Sequence, residues 1–269
     1  MGIAVRRAVG TLDFGSIQRG LRRRLSRLIA PKASANPSLA SAFYSQHPTC
    51  QIPNLYYLLS KFLGNREDGH YVEVGAYDGL FASNTWGLAS KGWLGLLIEP
   101  VPHLAARCRI NYAHLQNIRV LEFAIGREEQ EVVLHFAGTL TTANTRAFNE
   151  YSDVEWAKGA LTDKSLSVKC RPLDLVLTEQ QIPLGFDLLV VDVEGFETEV
   201  FAGFDISRWE PKMVIIELAD THPDLTATED ADAQLGRTLC RAGYIVCFKD
   251  SVNTVLVRED VWENSFNLA

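Results

Sequence analysis

The sequence predicts an α/β fold wound around a mostly parallel sheet. Three observations carry this expectation. From residue 71 onward, short apolar runs alternate with segments of helical period. Those runs end on glycine turns or on carboxylates, as strands do where a parallel sheet meets its ligand-binding edge. With 269 residues, 47% of them apolar and 22% charged, the chain is long enough for one full core.

The chain opens on a basic extension. Residues 1–32 hold eight basic side chains against one acid, Asp13, whereas the remaining 237 hold 18 basic and 32 acidic ones. An acidic body argues against a broad nucleic-acid face. Ile17, Leu21, Leu25 and Leu28 recur at spacings of four, four and three, which predicts an amphipathic helix over 16–30 with arginines opposite. Such a helix suits either peripheral contact with an anionic membrane or self-association. Residues 31–38 read as a linker, so the expected division is an extension over 1–38 and a domain over 39–269. No apolar run reaches the ~20 residues of a membrane span, and charges occupy the start where a signal peptide is apolar. A cytoplasmic location is expected. Five dispersed cysteines without metal-like spacing read as reduced thiols.

After the linker, Leu55–Leu63 reads as an apolar helix stopped by Gly64. Residues 71–75 form the first expected strand, 83–90 a short helix before Gly92, 94–99 a second strand, 103–112 a helix and 119–125 a third strand. Residues 131–136 alternate apolar and polar side chains and add a strand. Residues 137–165 show no period. Their polar set, Thr139, Thr141, Thr142, Asn144, Thr145 and Arg146, suits a substrate cap over a hydroxyl-rich ligand or a solvated loop. Residues 187–192 are the next buried strand, with a helix to Ala202. A strand at 213–218, a helix at 231–242 ended by Gly243, and a hairpin of 244–249 and 254–258 complete the chain.

The strand ends carry the chemistry. Gly75 and Gly79 follow the first strand without the G-x-G-x-x-G spacing that seats a pyrophosphate on a helix N-terminus. Glu73 and Asp78 flank that turn and would repel a diphosphate. Glu99 ends the second strand about one βαβ unit later, where an acid accepts the hydroxyls of a ribose. An adenosine cofactor with an ammonium group and no phosphate fits this pattern, and S-adenosylmethionine is such a molecule. Because ligands bind beyond the carboxyl ends of parallel strands, Glu99, Asp192, Glu194 and Glu217 are expected to converge on one crevice.

Across residues 70–220 the chain resembles the FkbM family of methyltransferases. The resemblance rests on residues 72–79 (Val-Glu-Val-Gly-Ala-Tyr-Asp-Gly) with Ser83-Asn84-Thr85, on Ile98-Glu99-Pro100, on Ala124-Ile125-Gly126 and on Arg171-Pro172-Leu173-Asp174. Above all it rests on residues 192–197, Asp-Val-Glu-Gly-Phe-Glu, followed by Ile216-Glu217. It implies a class I methyltransferase domain, Rossmann-like, with a seven-stranded sheet, helices on both faces and the hairpin as its last two strands. It also implies O-methylation, in bacteria often of sugars in polysaccharides, glycolipids or natural products. Residue by residue, it assigns Glu73, Gly75, Ala76, Asp78 and Gly79 to the methionine end of the cofactor, with Thr85 nearby. Glu99 with Pro100 falls at the ribose and Ala124 with Ile125 at the adenine edge, while Asp192 and Glu194 face the transferred methyl. Where many relatives carry Lys or Ser before the Asp-Val-Glu-Gly segment, this chain has Val190.

A sugar hydroxyl needs its proton drawn off to attack, so a base is expected at hydrogen-bonding distance. Asp192 is the first candidate and His222, just past the strand carrying Glu217, the second. The paired acids can also hold Mg²⁺, an ion the reading does not require. Two other classes stay open: a non-catalytic binding protein on the same fold, and an NAD-linked oxidoreductase, which the glycine spacing disfavours.

Overall fold

The computed structural model describes residues 42–267, so the amphipathic helix expected over 16–30 and the linker after it lie outside the described residues. Helix α1 (Leu55–Leu63) leads into β1 (His70–Val74), α2 (Trp86–Ala89), β2 (Leu94–Ile98), α3 (Pro102–Asn111) and β3 (Ile118–Leu121). Then come β4 (Ala124–Ile125), β5 (Gln130–His135), α4 (Thr145–Tyr151), β6 (Ser165–Arg171), α5 (Leu173–Glu179), β7 (Leu188–Val191), α6 (Glu197–Ala202) and α7 (Ile206–Trp209). Strand β8 (Met213–Glu217), α8 (Glu229–Arg241), β9 (Tyr244–Lys249), β10 (Asn253–Arg258) and α9 (Glu259–Asn267) close the chain.

The main sheet has seven strands in the order β3-β2-β1-β7-β8-β10-β9. The first five are parallel, and β10 runs antiparallel to both of its neighbours. Period-2 alternation sorts the core onto its two faces. Tyr71, Leu97, Leu188, Val190 and Ile215 pack on one face with α1, α2 and Trp93. Val72, Val74, Leu96, Ile98, Val191 and Ile216 pack on the other with α5, α6 and α8. Parallel strands buried on both faces must read as unbroken apolar runs, which explains why 188–191 and 213–216 contain no polar residue. At the amino ends of the strands, Asp187 accepts from Arg66 at 2.6 Å, Lys212 at 2.7 Å and the His70 N–H at 2.9 Å. Its charge is therefore met on three sides.

The structure departs from the sequence reading at identifiable places. The strand expected over 119–125 is two strands. It leaves the main sheet after Leu121, and Ala124–Ile125 pairs with β6 in a separate three-stranded sheet ordered β4-β6-β5. The helix expected over 83–90 begins only at Trp86, because Ser83 Oγ accepts from the Thr85 and Trp86 N–H groups while the Thr85 hydroxyl is turned toward Glu73. Strand β6 and helices α5 and α9 were not expected. Within 137–165 the chain is ordered, with α4 capped by Asn144, whose Oδ1 accepts from the Arg146 and Ala147 N–H groups.

Candidate active site

Strand register explains why the acids meet. Val74 pairs with Ile98 on one side and with Val191 on the other, and Val191 pairs with Ile216. The next residue on each strand therefore falls in one row across the carboxyl edge: Glu99, Gly75, Asp192 and Glu217. At a strand spacing of about 4.8 Å, Asp192 and Glu217 are neighbours, and Glu99 lies roughly 10 Å from Asp192 across Gly75. Sheet order reverses between β1 and β7, which opens a crevice there. A cavity of about 640 Å³ occupies it, within the range of small-molecule sites.

Gly75 holds the row together. Its φ is +88°, and a Cβ there would sit 1.7 Å from the Asp192 carbonyl oxygen, so the two strand ends approach only because this position lacks a side chain. Glu194, at φ +57°, is a non-glycine residue in the left-handed region, a conformation that costs of order 1 kcal/mol and turns the chain just past Asp192. Asn144 Nδ2 donates to the Gly195 carbonyl at 2.6 Å, tying this turn to the 137–165 segment.

Each acid is set by its surroundings. Glu99 is buried, and its two oxygens accept the Tyr77 N–H at 2.8 Å and the Val101 N–H at 2.9 Å, leaving lone pairs for two hydroxyl donors. Burial pushes its carboxyl up to about 7 against those bonds. Glu73, also buried, accepts the Thr85 hydroxyl at 2.6 Å and is raised by burial to about 7. Carboxylate oxygens of Asp192, Glu194 and Glu217 lie within 4.8 Å of one another. Burial raises all three, Glu194 and Glu217 well above the usual range. Three like charges this close cannot all ionise. The same three oxygens form a donor set suited to a hard divalent cation such as Mg²⁺.

Of the residues singled out from sequence, Glu73, Gly75, Ala76, Glu99, Pro100, Ala124, Ile125, Asp192, Glu194, Glu217 and His222 line the cavity. Three stand behind its wall. Asp78 Oδ1 caps its own turn by accepting the Leu80 and Phe81 N–H groups, a Gly79 Cβ would meet the Tyr112 ring at 2.6 Å, and Thr85 reaches the cavity only through Glu73. Their place is support for the first turn. At His222, Nδ1 accepts from the N–H groups of Asp224 and Leu225, both at 3.0 Å, and burial lowers its pKa. In the neutral ring this geometry puts the proton on Nε2, which faces outward as a donor. Sequence reasoning missed Trp156, which lines the cavity with its indole N–H donating to Asp224 Oδ2 at 3.0 Å. A large aromatic in an otherwise polar, aperiodic segment was the available signal.

A seven-stranded sheet in this order, with acids at the tips of strands flanking its reversal point, is the class I methyltransferase architecture. Residues 73–246, well over half of the chain, match the Methyltransferase FkbM domain, and the chain belongs to that family. It is 28% identical over 163 residues to the 2-O-methyltransferase NoeI of Sinorhizobium fredii, a match spanning 58% of this chain and 65% of NoeI. Among solved structures, methyltransferase FkbM from Methylobacillus flagellatus KT aligns with a TM-score of 0.46 and 17% identity, covering 71% of this chain and 43% of that one. The METTL16 methyltransferase domain aligns at 0.45 with 12% identity, covering 93% and 83%.

Proposed function

We propose that the chain is an S-adenosylmethionine-dependent O-methyltransferase acting on a hydroxyl of a sugar in a polysaccharide, glycolipid or natural product. The observation that carries this reading is the single row of strand ends that puts Glu99 on one side of Gly75 and the Asp192–Glu217 pair on the other. Among the described residues lining the cavity there are seven carboxyls and no Lys or Arg. That wall suits a cation and opposes the diphosphate of NAD.

S-adenosylmethionine supplies, when bound, a methyl group on a positively charged sulfur. Glu99, fixed by two backbone N–H groups, holds the ribose hydroxyls, and Ala124 with Ile125 flanks the base. Asp192 takes the acceptor's proton. Its raised pKa brings it closer to neutral pH, where a general base works best. Alignment of the two reactants in one cavity supplies the rest of the rate. The relative NoeI is named a 2-O-methyltransferase, which supports oxygen as the atom methylated.

The test is transfer of a labelled methyl from S-adenosylmethionine to a panel of free glycans, with and without EDTA. Asp192→Asn is expected to lower kcat roughly 100-fold or more while leaving S-adenosylhomocysteine affinity within a few fold. Full activity of that variant would move the base elsewhere. Label on nitrogen or carbon would overturn O-methylation, and loss of activity in EDTA would assign the three acids to a metal.

A further inference from the structure

Asp192 divides the cavity. Glu99 and the first turn lie on its β1–β2 side, where Ala143 packs with Val101, Leu104 and Tyr77, while the loop after β8 walls the other side together with Glu150 and Trp156. That loop is pinned to the 137–165 segment: Glu150 Oε1 accepts from the Thr226 N–H at 2.7 Å, the Thr226 hydroxyl at 2.7 Å and the Ala227 N–H at 3.0 Å. Trp156 is held by Asp224, and its ring lies 6.0 Å from that of His222. With Nδ1 committed to two backbone N–H groups, His222 has only its Nε2–H to offer a ligand. Leu225 packs beside them. The result is an aromatic face, one fixed donor and an apolar floor on the side of the cavity away from Glu99.

The charge on this wall is one-sided. Glu155 and Asp224 line it in addition to the strand-end carboxyls, and no Lys or Arg is among the described lining residues. Lys158 pairs with Glu155 at 3.2 Å, and both ends of that pair are exposed, so screening leaves either charge little influence and the sign of the cavity is set by the buried strand-end carboxyls. A bound anion would face the strand-end carboxyls with no Lys or Arg among the described lining residues to offset them.

We infer that Trp156, His222 and Leu225 form the acceptor subsite, and that it takes a hydroxylated ring whose substituents are uncharged or ammonium-bearing, excluding acceptors that carry a carboxylate or phosphate. This rests on the methyltransferase reading and narrows it. His222 Nε2–H donates to a ring substituent oxygen, Trp156 covers an apolar ring face, and the strand-end carboxyls beside them oppose an anionic substituent.

The experiment uses the full chain with S-adenosylhomocysteine bound, its binding first established by calorimetry. Saturation-transfer NMR then compares three probes: methyl glucoside, methyl glucosaminide and methyl glucuronide. The glucoside and glucosaminide are expected to bind, with the glucuronide at least tenfold weaker, and the ratio is expected to shrink in high salt. A Trp156→Ala variant should weaken glucoside and glucosaminide at least tenfold with S-adenosylhomocysteine affinity unchanged, and unchanged sugar binding in that variant overturns the subsite. Glucuronide binding equal to or tighter than glucoside overturns the inference, as does silence from all three probes. Failure of S-adenosylhomocysteine itself to bind would remove the methyltransferase reading and this inference together, so the two failures are told apart.

Discussion

Substituting Glu73 by Gln isolates the cost of building an acidic cavity. The side chain is 4% exposed and accepts the Thr85 hydroxyl at 2.6 Å, a bond that a Gln carbonyl oxygen can also accept. Burial holds its carboxyl at about 7, against an ordinary value of 4.5. The folded chain therefore keeps a proton that the unfolded chain gives up, and stability falls as pH rises from the unfolded value through the folded one. Between pH 5 and pH 8 this share amounts to about 2 to 3 kcal/mol. The Gln variant has no such proton to lose. Whatever fixed effect the amide has on packing, its stability relative to the parent should rise by that amount across the interval, or about 5 to 10 °C in Tm for a chain of this size. Thermal unfolding of both proteins, without ligand, at pH 5, 6.5 and 8 reads this directly. Parallel Tm curves would show that Glu73 does not hold a proton in the folded state and would refute the reasoning for its neighbours as well.

Two further outcomes follow from the same geometry. Gly75→Ala forces a Cβ onto the Asp192 carbonyl at a positive φ, so it should destabilise the fold by at least about 2 kcal/mol, and normal Tm in that variant would contradict the close approach of β1 and β7. At pH 8, ¹⁵N spectra of His222 should show an unprotonated Nδ1 and a protonated Nε2, and the opposite tautomer would contradict that assignment.

Much of this architecture was legible in the residues. The buried strands were found because parallel strands covered on both faces leave uninterrupted apolar runs, and the acids could be placed at their ends because each run stops on one. What the sequence did not show was register. That Glu99, Gly75, Asp192 and Glu217 share a row depends on pairings between residues as far apart as Val74 and Val191, 117 positions, which no local pattern encodes. Strand β6 alternates Leu166, Val168 and Cys170 with polar residues and could have been read. Strand β4 could not, since two residues carry no period. The part His222 can play was not legible either, because the character of an imidazole is decided by what its other nitrogen meets, here two N–H groups of its own turn. Asp78 and Thr85 sit in the right motif yet turn their oxygen atoms to the backbone or to Glu73, a choice settled by packing.

The central claim is that Glu99 and the first turn hold an adenosyl cofactor. Calorimetric titration of the protein and of Glu99→Ala with S-adenosylhomocysteine, with NAD as the control, tests it most directly. The account predicts micromolar binding of the adenosyl ligand by the parent, at least tenfold weaker binding by the variant, and no heat from NAD. Equal affinity of parent and variant, or tighter binding of NAD, would contradict it.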